Sequence, residues 1–384
     1  MNRNILALDF YGRGITATLA VIDEKTDTLR IRKIQRKTCA AFCDGFVRDL
    51  SAAKEALAQL MEEMGSYASN PPTVVVGLHG NFLSYQHRTG FTTVASRGRI
   101  IREADIEEVI HNSIPSTLTQ TQEVFDILPL SYVVDGNVGI EDPNGMSGFT
   151  LEVETFLSVA LSSHLNNLNA VLSACECSDY QLLATSVAVG ETVLLPNEKK
   201  GNCLILDIGE TSSSALFYQQ GCLMAGWELD TGMDFLVKQA ADLLLNDEDT
   251  TRQVLLANPP GTDKYTDGLW EDAGEILLSK IKAELLQSLT FVQHPLTQVI
   301  LCGSGANAAL LKLAKTIFEV RKARVAVFDN LIADCDTNTP QYTGVLSLIF
   351  HALERERNEL GSSPIEEEGL FGKVLSKFGL GGLF

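Results

Sequence analysis

The chain has 384 residues, enough for two or more domains with sizeable cores. Charged residues make up 21% and hydrophobic residues 45%, an ordinary globular balance; the net charge of −19 argues against a nucleic-acid surface, which needs clustered Lys and Arg to neutralise phosphates. No apolar run reaches the roughly 18 residues of a spanning helix, so any membrane contact is expected to be peripheral.

Residues 4–22 form a strand (Asn4 to Asp9), a turn (Phe10-Tyr11-Gly12-Arg13-Gly14) and a second strand (Ile15 to Ile22). The start, Met1-Asn2-Arg3-Asn4, runs straight into that first strand, so no signal peptide is expected. Leu29 to Lys37 alternates as a third strand. Ser51 to Met64 carries Ala53, Leu57, Leu60, Met61 and Met64 as a helical stripe, and Thr73 to Leu78 is a buried strand. The order β-β-β-α-β is an α/β unit. Phe82 to Ala95 reads as two short strands and Glu103 to Ile114 as a helix. Strands Val124 to Val134 and Gly148 to Leu161 then flank a loop with Asp135-Gly136-Asn137 and Asp142-Pro143-Asn144-Gly145 turn signals. Together these suggest a small inserted α/β domain.

Ser163 to Cys175 is a helix with Leu165, Leu168, Val171 and Leu172 on one face; a short strand and another helix precede residue 203. Cys203 to Asp207 is a buried strand, followed by Ile208-Gly209-Glu210-Thr211-Ser212-Ser213-Ser214 and a second strand. This repeats the outline at Asp9 and suggests a duplicated fold. An acid at a strand end, then Gly and hydroxyls, could cradle a phosphate and hold Mg²⁺ through water. Taken alone, such a stretch is far more often an ordinary hairpin. Asp234 to Leu245 is a helix, the polar residues 246–272 read as loop, and Ala273 to Phe291 is a long helix. Thr297 to Cys302 is a strand that ends at Gly303-Ser304-Gly305 and opens the helix Ala306 to Phe318. Arg324 to Phe328 is a last strand and Tyr342 to Glu356 a last helix.

Residues 361–368 form a polar linker. In the tail 369–384, Leu370, Phe371, Val374, Leu375 and Phe378 share one helical face, with Lys373, Ser376 and Lys377 on the other, the pattern of an interfacial membrane helix. A helix docking on the protein's own body or on a partner is the plainer alternative. The eight cysteines include no C-x-x-C pair; Cys203, Cys222 and Cys302 read as small buried hydrophobes in a reducing compartment. Cys175 and Cys177 lack a nearby His, which argues against zinc. The six His are scattered and read as ordinary core or surface residues.

The turns at Asp9 to Gly14, Asp207 to Ser214 and Gly303-Ser304-Gly305, in this order, resemble those of the actin/Hsp70 ATPase superfamily. The run from Ile127-Leu128-Pro129-Leu130-Ser131-Tyr132-Val133-Val134-Asp135-Gly136 through Gly139-Ile140-Glu141-Asp142-Pro143-Asn144-Gly145-Met146-Ser147-Gly148 is similar to the inserted subdomain of the bacterial cell-division family FtsA. That family also ends in a linker and an amphipathic membrane-targeting helix. The resemblance covers most of the chain.

It implies an α/β, actin-like two-lobed ATPase fold with an inserted FtsA-type 1C subdomain and a C-terminal amphipathic helix. Subdomain 1A would be residues 1–83 and 162–202, 1C 84–161, 2A 203–231 and 295–358, and 2B 232–294, with linker 359–368 and tail 369–384. ATP and Mg²⁺ would lie between the lobes. Asp9 and Asp207 would position the Mg²⁺ through water, and Gly12, Arg13, Gly209, Thr211 and Ser212 would face the phosphates. Gly232, Lys280, Gly303 and Ser304 would lie near the nucleoside and Gly305 would complete that nucleotide-binding turn; a plain structural role is the alternative for these residues, with Gly303 and Gly305 allowing close helix–strand packing. The resemblance further implies a peripheral protein on the cytoplasmic face of the inner membrane at the division site. It would polymerise with itself, bind the C-terminal peptide of the tubulin-like GTPase FtsZ, touch lipid, and recruit later division proteins through 1C.

The chain departs from the family at the nucleotide. Where D-I-G-T-S is usual it has Asp9-Phe10-Tyr11-Gly12-Arg13, and a side chain at Tyr11 is expected to block close approach of backbone to phosphate. Where D-I-G-G-G-T-T-D is usual, Glu210, Thr211 and Ser214 replace Gly, Gly and Asp. Leu183 to Ala188 lacks the acidic residue of many relatives, and the 2B segment is short. ATP is therefore expected to act as an assembly ligand, with very slow turnover or none. The alternatives are an active actin-like ATPase, or a PilM-like scaffold of a pilus or secretion machine.

Overall fold

The computed structural model describes residues 2–359, except 24–27, 66–70, 96–97, 120, 176, 178 and 329–330. The amphipathic tail 369–384 lies outside the described residues.

Two five-stranded sheets carry the fold, and both are wound in the same way. In the first, β1 (Asn2–Phe10), β2 (Gly14–Asp23) and β3 (Thr28–Thr38) form an antiparallel meander. The helix α1 (Leu50–Met64) then crosses over to β4 (Thr73–Leu78), which lies parallel to β1. Asp49 starts α1 by accepting the N–H groups of Ser51 and Ala52, and Gly65 ends it at φ 107°. After the insertion, α3 (Ser162–Ala174) leads to β9 (Tyr180–Ala184), parallel to β4, and on into α4 (Thr185–Val193).

The insertion is a four-stranded antiparallel sheet in which β8 (Thr150–Leu161) lies between β5 (Leu83–Thr93) and β6 (Gln122–Val134), with β7 (Asn137–Ile140) outside β6. Helix α2 (Glu103–His111) packs Val109 onto Val134, Leu151 and Val153. Residues 82–95 are thus mainly one strand, not two, because β8 pairs with β5 along its whole length. Pro129 sits where the register slips, the kind of irregularity at which a sheet tolerates proline. Asp135 Oδ1 accepts the N–H groups of Phe149 and Thr150, both at 2.8 Å. These bonds, first the one from Thr150, hold its carboxyl below the usual range. Asp135→Ala is expected to speed hydrogen exchange at those two amides while the melting temperature moves by no more than about 2 °C.

In the second sheet β10 (Asn202–Ile208), β11 (Ser213–Gln219) and β12 (Cys222–Leu229) repeat the meander. Beyond them, β13 (Gln298–Cys302) and β14 (Lys322–Val325) lie parallel to β10. Around this sheet run α5 (Met233–Leu244), α6 (Glu248–Ala257), α7 (Lys264–Leu285) and α8 (Ala308–Ile317), and α9 (Thr343–Glu359) follows. The duplication read from the two Asp turns is therefore present in the strand order.

Residues 246–272 are a correction: they are largely helical, in α6 and the start of α7. Asp247 caps α6 through the Thr250 N–H, and Asp263 caps α7 through the Tyr265 and Thr266 N–H groups. Leu255, Leu269 and Trp270 are buried, and the Trp270 indole donates to Asn258 O at 3.1 Å. A polar surface helix with few apolar anchors looks like loop until its partner helix is known. Cys222 is a second correction. It is exposed at the first residue of β12, whereas Cys203 and Cys302 are buried as expected.

The core is layered. Leu6 and Leu8 of β1 face α1 and α3, whereas Ile5 and Ala7 face the other way. There they join Val187, Ala188 and Val189 of α4, Leu346 and Ile349 of α9, and Ile205 and Ile300 of the second sheet. Leu204 and Leu206 face α5, α7 and α8. The two sheets thus share α4 and α9, and the carboxyl ends of β1, β4, β10 and β13 bring their loops to one seam.

Candidate functional site

Ligands in open α/β sheets gather at the carboxyl ends of strands. At this seam those ends carry Asp9 from β1, His79 just after β4, Thr185 opening α4, and Asp207 from β10. Asp9 and Asp207, which the sequence singles out, are each 3% exposed. Asp9 Oδ1 lies 3.1 Å from His79 Nε2 and accepts the Thr185 hydroxyl at 2.9 Å. The Tyr11 hydroxyl donates to Asp207 Oδ1 at 3.0 Å. The rings of Tyr11 and His79 lie against each other, 4.3 Å between centroids.

A third carboxylate, half-buried, lies beside them. Glu228 at the end of β12 accepts the Tyr85 hydroxyl at 2.5 Å and the Gly80 N–H at 3.2 Å, and Tyr85 in turn touches Ser186 Oγ at 2.6 Å. Burial pushes the Glu228 carboxyl up to about 7 against the pull of His79 and the Tyr85 bond. Burial also raises Asp207, opposed by His79 and the Tyr11 bond. For His79, burial works downward, but the charge of Asp9 and the bond to it, backed by Asp207 and Glu228, prevail and lift it to about 9. His79 therefore stands as a cation among three carboxylates. Burial first, then the charge of Asp207, puts the Tyr11 phenol well above its ordinary range, so it remains a donor.

The rim of the seam is also joined by the chain's own groups. Arg13 pairs with Glu210 at 3.1 Å and with Asp234, and Arg36 reaches Glu210 at 3.2 Å. Asp44 accepts the Gly12 N–H at 2.8 Å and the Thr211 hydroxyl. Asn81 donates to Asp230 at 2.7 Å. Gly209 N–H turns inward to Ser212 O, while Gly209 O and Glu210 O accept the first N–H groups of α5.

The predicted site residues Gly12, Arg13, Gly209, Thr211, Ser212 and Gly232 are brought together; Gly232 packs on Gly209 O and Ser212 N. Gly303, at φ +82°, lies against Asp207 Oδ1 where a Cβ would overlap it, and Gly305 packs on Ile208 and Met233. Ser304 is exposed beside them. Lys280 Nζ lies 4.4 Å from the Phe235 ring centroid, a cation–π contact on α5. Sequence reasoning missed His79, Asp44, Tyr85 and Glu228. For His79 a signal existed: it directly follows a buried strand expected to lie in a parallel sheet.

Whether these residues suit ATP with Mg²⁺ can be asked of their geometry. A phosphate held by the second turn must approach Gly209, yet a Cβ there would already overlap the Tyr11 hydroxyl and ring. A metal between Asp9 and Asp207 needs both carboxylates, and these are engaged by His79, Thr185 and Tyr11. The 183–188 segment, where an acid could orient water, supplies Thr185 and Ser186 to Asp9 and Tyr85. Glu210 adds a negative charge at the rim. The residues present do not fit a metal–triphosphate in this arrangement. A cavity of about 360 Å³ opens nearby, between Asp44, Arg48, Asn81, His164 and Asp230, and neither Asp9 nor Asp207 lines it.

Comparison with known proteins agrees with the architecture. A family model described as the SHS2 domain inserted in FTSA matches residues 80–158. The cell division protein FtsA of Streptococcus pneumoniae is 24% identical, over 92% of this chain and 84% of that one. FtsA of Neisseria meningitidis is 22% identical, over 99% and 96%. Among solved structures, a PilM-PilN type IV pilus biogenesis complex matches with a TM-score of 0.62 at 17% identity, over 91% of this chain and 98% of that one. MreB5 of Spiroplasma citri, bound to ADP, matches with a TM-score of 0.52 at 10% identity, over 94% and 99%. These two share the fold. With the inserted domain in place on an actin-like frame, the chain is similar over most of its length to the FtsA family of bacterial cell-division proteins.

Proposed function

We propose that the chain assembles on the inner face of the cytoplasmic membrane at the division site and tethers FtsZ filaments there. The single observation that carries this reading is the FtsA-type insertion within a chain whose FtsA relatives match over most of their length. The tail 369–384 supplies an anchor of the interfacial kind, with Leu370, Phe371, Val374, Leu375 and Phe378 toward lipid and Lys373 and Lys377 toward headgroups. One such helix binds weakly, and a filament multiplies it by avidity. No helix among the described residues is long and apolar enough to cross a membrane. Later division proteins would dock on residues 84–161, where Phe91, Ile100 and Phe149 are more than half exposed. Tethering asks for no phosphoryl transfer, so it is indifferent to whether ATP serves as an assembly ligand.

The test is co-sedimentation with anionic liposomes. The full chain is expected to pellet and a chain ending at residue 368 to remain in solution. Equal behaviour of the two would remove the proposed anchor. The PilM-like fold keeps a second reading open, an actin-fold scaffold of a pilus machine. Capture by an FtsZ C-terminal peptide separates the two, since only the first reading requires it.

A further inference from the structure

We infer that Tyr11 takes the place of nucleotide between the lobes of this chain: its ring and hydroxyl bridge the seam from Asp207 to His79, so that the lobes hold together without a bound ligand. In a fold with a ligand between two lobes, closure ordinarily depends on contacts that only the ligand can make with both sides. Here those contacts are made by the chain. Tyr11 leaves the first turn, crosses the seam, covers Gly209 and donates to Asp207 Oδ1 at 3.0 Å. It is 8% exposed, and its ring rests on His79, itself fixed to Asp9 at 3.1 Å. The outer contacts reinforce the same closure. Arg13 links the first turn to Glu210 and Asp234, and Asp44 links Gly12 N–H to Thr211. A side chain at the position of Tyr11 thus has two effects with one cause: it excludes a phosphate, and it supplies the bridge the phosphate would have made.

The inference goes beyond the tethering role and is read separately from it, because liposome binding and nucleotide binding are independent measurements. The experiment uses the full chain. Mg-ATP and Mg-ADP are titrated in by calorimetry, and the melting temperature is followed with each at millimolar concentration. A ligand held well above its Kd would raise the melting temperature by several degrees. The expected result is no saturable heat and a shift within about one degree. In parallel, Tyr11→Phe keeps the ring on His79 and removes the hydroxyl from Asp207. That variant is expected to melt several degrees lower and to remain unresponsive to nucleotide. Saturable binding by the unaltered chain with a rise in melting temperature would overturn the inference. So would a Tyr11→Phe chain that melts with the wild type, since the bridge would then hold nothing.

Discussion

Replacing Arg355 by Ala is expected to lower stability by about 3 kcal/mol, measured as a shift in the urea unfolding curve. Arg355 lies on α9 and Asp126 on β6, at the root of the inserted domain. Their Nη1–Oδ1 distance is 2.6 Å, and Nη2 also donates to Ile127 O. The Asp126 side chain is 2% exposed and that of Arg355 21%. Removing the guanidinium leaves a carboxylate in the interior whose other oxygen has, among the described residues, only the Ala184 N–H at 3.4 Å. The cost is that of a stranded charge rather than the worth of the pair, and the partial exposure of Arg355 keeps it at the low end of the range for buried pairs. Arg355→Lys should fall between the two, because an ammonium cannot reach carboxylate and carbonyl together in a planar fork. The same loss should loosen the inserted domain, visible as faster hydrogen exchange along β6. A shift below about 1 kcal/mol would mean that water reaches Asp126 and the pair is not buried in effect.

One turn before Arg355, His351→Leu is expected to reduce the loss of stability between pH 6.5 and 4. His351 is 3% exposed, and neither ring nitrogen has a partner among the described residues. Burial first, then the charge of Arg355, drives its pKa down from 6.5 to about 4, against the pull of Asp126. The sign follows from linkage. Above 6.5 the ring is neutral in both states and its full contribution is present. As pH falls from 6.5 toward 4 the unfolded chain takes up a proton that the folded chain refuses, so stability falls, by on the order of 3 kcal/mol. Leu has similar volume, no proton to take up and no polar atoms to leave unpaired. The variant should also gain about 1 kcal/mol at neutral pH. Urea unfolding at several pH values between 4 and 7.5 checks both. A variant with the same acid slope as wild type would place the sensitivity elsewhere.

Much of the fold was legible because it rests on local patterns. Ile5 to Leu8 and Leu204 to Leu206 are continuous apolar runs followed by Asp and a turn, and such runs are strands buried on both faces. The run from Asp135 to Gly148 was legible for a similar reason: its Asp-Gly and Pro-Asn-Gly turns are backbone requirements written directly as residue types. The polar residues 246–272 were not. Their few buried positions become helical only once β10 and α8 provide something to pack against.

The site divides in the same way. By itself the sequence determined that Asp9 and Asp207 end two equivalent strands, that Gly209, Thr211 and Ser212 form the turn between β10 and β11, and that Tyr11 stands where a glycine is usual. Only the tertiary structure decided where the Tyr11 side chain goes. Its partner Asp207 is 196 residues away, and no local pattern encodes a contact across two lobes. His79 is the same case: an ordinary histidine in the sequence, it becomes a buried cation only because three carboxylates from separate strands converge on it. Local residue types specify which strands and turns form. The charge, burial and partners of a side chain at a seam depend on what the rest of the chain brings to it.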